Sequence, residues 1–247
     1  AVSAVAAWQL PNFRLDASAD SLVLENDEAL AYYRQVSKEY GGSDFLIVTY
    51  SPRRAPLFDR QTLKRLDALH RDLGNIDGVA DVTSILDVPL LFSPPMGFSD
   101  LAKDTRTLRN DDVDLQLAKQ EFLQENPVYR GMLVNDSADT TALLVSMERD
   151  QRYFDLLYRR NELADQQRAG TLDAAGEKAL AEARRAFSDY NSKSQARTAE
   201  QVATFRRTLD PHRDHAELFL GGMPMIASDM VDFIRDDLST FGIGVLL

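Results

Sequence analysis

Cysteine is absent from this chain of 247 residues, which removes disulfides, thiolate nucleophiles and cysteine-ligated zinc or iron-sulfur centres together. Histidine is scarce, with three residues, His70, His212 and His215. Basic residues are outnumbered, 28 Lys and Arg against 39 Asp and Glu, for a formal charge of -11. A phosphate backbone repels such a chain, so sequence-independent nucleic-acid binding is excluded as its main business, and an anionic membrane surface is disfavoured. No stretch reaches the roughly 20 apolar residues that span a bilayer, and the N-terminus lacks a basic start followed by a long apolar run.

What is present is an ordinary globular composition, 44% apolar and 27% charged, enough to bury one large core or two smaller ones. Both ends are apolar: Ala1 to Trp8 before Pro11, and Phe241-Gly242-Ile243-Gly244-Val245-Leu246-Leu247. The expectation is that residues 1–10 and 241–247 are stumps of membrane helices, the alternative being loose tails.

Along the chain, Asn12 to Asp16 alternates as a strand does, and Asp27 to Tyr40 carries Leu30, Tyr33, Val36 and Tyr40 at helical spacing before Gly41-Gly42. Asp44 to Tyr50 reads as a buried strand. Asp59 caps a helix striped by Leu63, Leu66, Leu69 and Leu73, with Phe58 and Leu63 placed for a hydrophobic staple. Val79 to Leu86 returns as a strand. These elements suggest a first subdomain over 11–99, closed by the proline-rich apolar loop Asp87 to Ser99.

A second subdomain over 100–240 is expected from a helix at Val113 to Glu125, a hairpin of Tyr129 to Val134 with Thr140 to Met147, and a strand at His215 to Leu220. Between the last two strands, 151–208 is densely charged with sparse apolar positions, Phe154, Leu157, Leu180, Phe187, Val202 and Phe205. It reads as a helical hairpin bending at Ala169-Gly170-Thr171, with Asn191 to Ser194 a candidate break. The hairpin is a candidate contact for a periplasmic lipid carrier, an adaptor protein or a second copy of the chain, the plain alternative being a solvated insertion. Pro224 to Thr240 reads as an amphipathic helix carrying Ile226, Met230, Phe233, Ile234 and Leu238.

The sequence offers no catalytic constellation. There is no Gly-x-Ser-x-Gly elbow, phosphate-binding glycine loop or dinucleotide fingerprint. His212 and His215 in Asp210-Pro211-His212-Arg213-Asp214-His215 lack the helical spacing of a zinc enzyme, so no metal and no cofactor is assigned. Apolar and aromatic side chains at breaks in the pattern are instead the candidate ligand-binding residues: Leu90, Leu91, Phe92, Met96 and Phe98 in the apolar loop, Phe122 and Tyr129, and Met223 and Met225 beside Gly221-Gly222. Each is also a natural core residue.

Phe13-Arg14-Leu15-Asp16-Ala17-Ser18-Ala19-Asp20-Ser21-Leu22, the Gly-Gly break, Asp44 to Tyr50, Ile76 to Leu86 and Leu220-Gly221-Gly222-Met223-Pro224-Met225-Ile226 occur in an order that resembles the first periplasmic loop of resistance-nodulation-division (RND) transporters, in the MMPL-like lipid-exporter branch. The resemblance implies an α+β fold of ferredoxin-like, βαβ-type porter subdomains with the long helical hairpin inserted. It implies the periplasmic domain of a proton-driven bacterial inner-membrane protein, tethered by flanking helices, with a sterol- or hopanoid-like lipid as ligand. The proton-relay carboxylates of that family lie in a membrane helix outside this sequence. A drug-efflux porter domain and a membrane-tethered sensor or adaptor are the alternatives.

Overall fold

The computed structural model describes residues 44–90, 106–125, 131 and 133–246. The expected strand at 12–16, the helix at 27–40 and most of the apolar loop lie outside them. The described chain is a mixed α/β structure with one four-stranded antiparallel sheet and a long helix. Its elements are β1 (Phe45–Pro52), α1 (Arg60–Gly74), β2 (Val79–Thr83), α2 (Leu115–Gln120) running into a π-helical turn (Glu121–Glu125), β3 (Thr141–Met147), α3 (Gln151–Arg168), α4 (Ala174–Leu209), β4 (Ala216–Gly221) and α5 (Met223–Leu246).

The sheet order is β2-β3-β1-β4. β1 lies between β3 and β4, with Ile47 opposite both Leu144 and Gly221, and Val48 opposite both Leu143 and Leu220. β2 joins the far side of β3 with a register shift between Val79 and Asp81. Strands from both expected subdomains therefore share one sheet, and the chain divides differently from the 11–99 and 100–240 split. One compact unit comprises Asp44–Glu148 and Gln201–Met223; the other includes Arg149–Glu200 and 224–246. The physical reason is edge pairing. β1 and β2 alone would leave unpaired N–H and C=O groups that β3 and β4 satisfy.

In the sheet unit, alternation sets the core. Leu46, Val48 and Tyr50 of β1, Leu143 and Val145 of β3, Ala216 and Leu218 of β4, and Val82 of β2 are buried. α1 packs on β2 and β3 and contributes Leu63, Leu66, Leu69 and Leu73, all buried as their spacing requires. The Asp59 carboxylate accepts hydrogen bonds from the amides of Gln61 and Thr62, at 2.9 and 3.1 Å, so the expected N-cap is present. Val202, Phe205 and Leu209, on the last turns of α4, belong to the same unit and are also buried.

Of the expected hairpin before β3, the described residues show a bridge between Val134 and Thr141, and Tyr129 lies outside them. Its turn is held by the Asn135 side-chain oxygen, which accepts from the amides of Asp139 and Thr140. In the helical unit, α3 and the first part of α4 are antiparallel, because Tyr153 meets Phe187 with ring centroids 5.5 Å apart while Gln167, later in α3, accepts from Arg184, earlier in α4. Asp150 caps α3 by accepting from the Tyr153 amide, and also accepts from the Tyr190 hydroxyl and from Arg197.

No break occurs at Asn191 to Ser194, and α4 runs 36 residues, roughly 54 Å at 1.5 Å per residue. Ser192 donates to the Ser188 carbonyl and Thr198 to that of Ser194, so short polar side chains that compete for backbone groups are here satisfied within the helix. α5 extends past the expected end at Thr240. Among the described residues no helix is long and apolar enough to cross a membrane.

Candidate functional site

Directly opposed residues of an antiparallel pair share a face. The register therefore places Phe45, Ile47 and Thr49 of β1, Ala142 and Leu144 of β3, and Phe219 of β4 on the face opposite the core. Four of them are large, apolar and open: Phe45 at 47% exposure, Ile47 at 36%, Leu144 at 40% and Phe219 at 61%. Ile47 and Leu144 are cross-strand partners, Phe45 is two residues along the same face, and Phe219 lies across from Thr49. A sheet that opposes water on one side ordinarily alternates apolar with polar residues. On this open face Phe45, Ile47, Ala142 and Leu144 of the two central strands outnumber the small polar residues Thr49 and Ser146 beside them, and a group of exposed apolar side chains marks a surface built to meet something.

Gly222 fixes how the chain leaves this sheet. Its φ is +125°, a conformation open to glycine, and a Cβ there would lie 2.7 Å from the Phe45 carbonyl oxygen. The following Met223 is 49% exposed, so a flexible thioether side chain emerges at the Phe45 end of β1. Met225 is half-buried and belongs to the other unit.

The remaining sequence candidates fare differently. Leu90 and Phe122 are fully buried, Phe122 packing against Phe58 with ring centroids 5.5 Å apart, so as described both are core side chains with no surface to offer. Leu91, Phe92, Met96, Phe98 and Tyr129 lie outside the described residues. Sequence reasoning passed over Phe45, Ile47, Leu144 and Phe219. The signal was the near-continuous apolar run of β1, which reads equally well as a strand buried on both faces.

The polar clusters of the sheet unit are structural. Asp87 accepts from the Ser84 amide and hydroxyl, from Arg109 at 2.8 Å and from His70, closing the turn after β2. His70 Nε2 also lies 2.7 Å from the Val82 carbonyl oxygen, which can only accept, so Nε2 carries the proton. Arg109 bridges further to Asp67, which pairs with Arg71 one turn along α1. Every member has a partner, so His70 is a satisfied structural side chain. No protein-family model matches the chain, and no curated protein matches it.

Proposed function

We propose that this chain is the periplasmic porter domain, formed by the first extracytoplasmic loop, of an RND-superfamily transporter of the MMPL-like branch, and that it handles a hydrophobic lipid of sterol- or hopanoid-like shape. The observation that carries the reading is the open apolar sheet face of Phe45, Ile47, Leu144 and Phe219. A rigid polycyclic lipid is flat and apolar, and a sheet surface of aromatic and branched side chains offers it contact area with little side-chain ordering to set against the gain.

The topology supports the same reading. β1 and β2 are each antiparallel to β3 and so parallel to one another, joined through α1 with β3 between them; β3 and β4 are likewise joined through helices with β1 between them. We infer a ferredoxin-like, split βαβ unit, into whose second crossover the α3–α4 hairpin is inserted. That agrees with the subdomain type the sequence resemblance implies. The role of the domain is to receive and pass on the lipid; no residue is assigned to catalysis, and no cofactor enters the reading.

The test is equilibrium binding of the chain to a panel of sterols, hopanoids, fatty acids and phospholipids, with Phe219→Asp as the variant. Phe219 is exposed, so the substitution leaves the core intact. Saturable binding selective for polycyclic lipids, and weakened in the variant, supports the proposal. A folded protein that binds no member of the panel refutes it.

A further inference from the structure

On the helix-covered side of the sheet, away from Phe219, a pocket of about 260 Å³ is lined by Tyr50, Arg65, Ala68, Pro211, His212 and His215. Three pieces of chain build it. Tyr50 comes from the buried face of β1, Arg65 and Ala68 from α1, and the rest from the turn between α4 and β4. Pro211 sits in the 3-10 turn that ends α4. The turn is pinned on both sides: the Arg53 amide donates to the His215 carbonyl at 3.0 Å, and Arg213 donates to the Leu218 carbonyl at 2.8 Å. His212 Nε2 bonds Asp72 of α1 at 2.8 Å.

Two polar atoms of this lining are buried and lack a hydrogen-bond partner, the Tyr50 hydroxyl and His215 Nδ1. Tyr50 is 1% exposed, so its phenol stands at the inner wall with nothing to bond. Buried polar groups are nearly always paired, and a concentration of orphans at one cavity is a site awaiting a partner. Burial pushes the Tyr50 phenol above its ordinary value of 10.0, and the nearby positive charge of Arg65 opposes that shift. The phenol therefore keeps its proton at neutral pH and is a donor. Arg65 supplies a planar fork of N–H donors.

Asp72 is the carboxylate bonded to the lining, and it is engaged by His212. Among the described residues no three His, Asp or Glu side chains converge as metal ligands. The donor set suits an anion better than a cation. The volume decides the size: it lies below the roughly 300–1,000 Å³ of pockets that enclose drug-sized ligands, so it takes a group rather than a polycyclic body.

We propose that the Tyr50–Arg65–His212–His215 pocket binds a phosphate group, carried either by free phosphate or by a phosphorylated lipid headgroup. The site stands independent of the lipid reading of the opposite sheet face. Charge selectivity in an acidic protein then comes from the Arg65 guanidinium meeting the oxyanion, with the unpartnered Tyr50 hydroxyl as the donor that closes the inner wall.

Isothermal titration calorimetry at constant ionic strength tests it, using the full chain with inorganic phosphate and with dihexanoyl phosphatidic acid. Arg65→Gln and Tyr50→Phe are the variants, and Lys178→Gln, an exposed charge on α4, is the control. One-to-one binding is expected, weakened roughly tenfold or more by Arg65→Gln, since a charge-assisted bond is worth about that factor, several-fold by Tyr50→Phe, and not at all by the control. Comparable affinity for both ligands identifies free phosphate as sufficient; binding of the phosphatidic acid alone identifies a headgroup. No binding of either ligand, or full affinity in Arg65→Gln, overturns the proposal. Should Arg65→Gln unfold, undiminished affinity in Tyr50→Phe overturns it instead.

Discussion

Replacing Tyr50 by Phe separates stability from binding. The substitution removes a single oxygen from a side chain that is 1% exposed and whose hydroxyl has no hydrogen-bond partner. An unsatisfied buried hydroxyl costs about 1–3 kcal/mol, while the oxygen's own dispersion contacts return a few tenths, so the ligand-free variant is expected to be more stable by about 1 kcal/mol. For a chain of this size that is an increase in Tm of about 2–4 °C. The gap also depends on pH. Because the folded phenol titrates above 10.0, the folded protein holds a proton that the unfolded chain releases. Wild-type stability from this group is therefore complete below pH 10 and declines as pH rises through the folded value, whereas the variant has nothing there to lose. Differential scanning calorimetry of both proteins at pH 8 and pH 10.5 should show the variant ahead at the first and further ahead at the second. Added phosphate should raise the wild-type Tm more than the variant's. A variant less stable than wild type by 1 kcal/mol or more would mean that the hydroxyl is bonded, and the reasoning about the pocket would fall with it.

Gly222→Ala places a Cβ 2.7 Å from the Phe45 carbonyl at φ +125°, and is expected to cost about 1–3 kcal/mol, read by thermal denaturation. No loss would mean that the β4 to α5 junction is free to adjust. Asp139 titrates below its ordinary value of 3.8, first because the Asn135 side chain donates to it and next because Thr140 does. The turn before β3 should therefore hold at neutral pH and loosen as pH falls through the lowered value. Carboxyl carbon chemical shifts should show that midpoint below 3.8 and returning toward it in Asn135→Ala; an unshifted wild-type midpoint would contradict the bonding.

Local elements were legible in the sequence, and their partners were not. Asp59, the leucine stripe of α1 and the sparse apolar positions of the α3–α4 hairpin announce themselves, because capping and 3.6-residue periodicity act within a few turns. Leu157, Leu180, Phe187, Val202 and Phe205 are buried as that pattern requires. Strand pairing is different. The side-chain period of β1 identifies a strand without saying that β3 and β4, from distant segments, will flank it, and so one sheet stood where the sequence suggested a subdomain boundary. The candidate site suffered for the same reason. Phe45, Ile47, Leu144 and Phe219 become one surface only once the register is known, and Leu90 and Phe122, apolar and beside breaks in pattern, proved to be core. Tyr50, Arg65 and His215 carry no spacing that links them; only the polar turn Asp210 to His215 hinted at more than a connection.

The most direct test of the lipid reading is to photolyse the chain with a diazirine-bearing sterol and map the adducts by mass spectrometry, with and without excess unlabelled sterol. Adducts on the strand peptides containing Phe45, Ile47, Leu144 and Phe219, suppressed by the competitor, are the expected result. Labelling confined to the α3–α4 hairpin, or labelling of the sheet that no competitor reduces, would contradict the account.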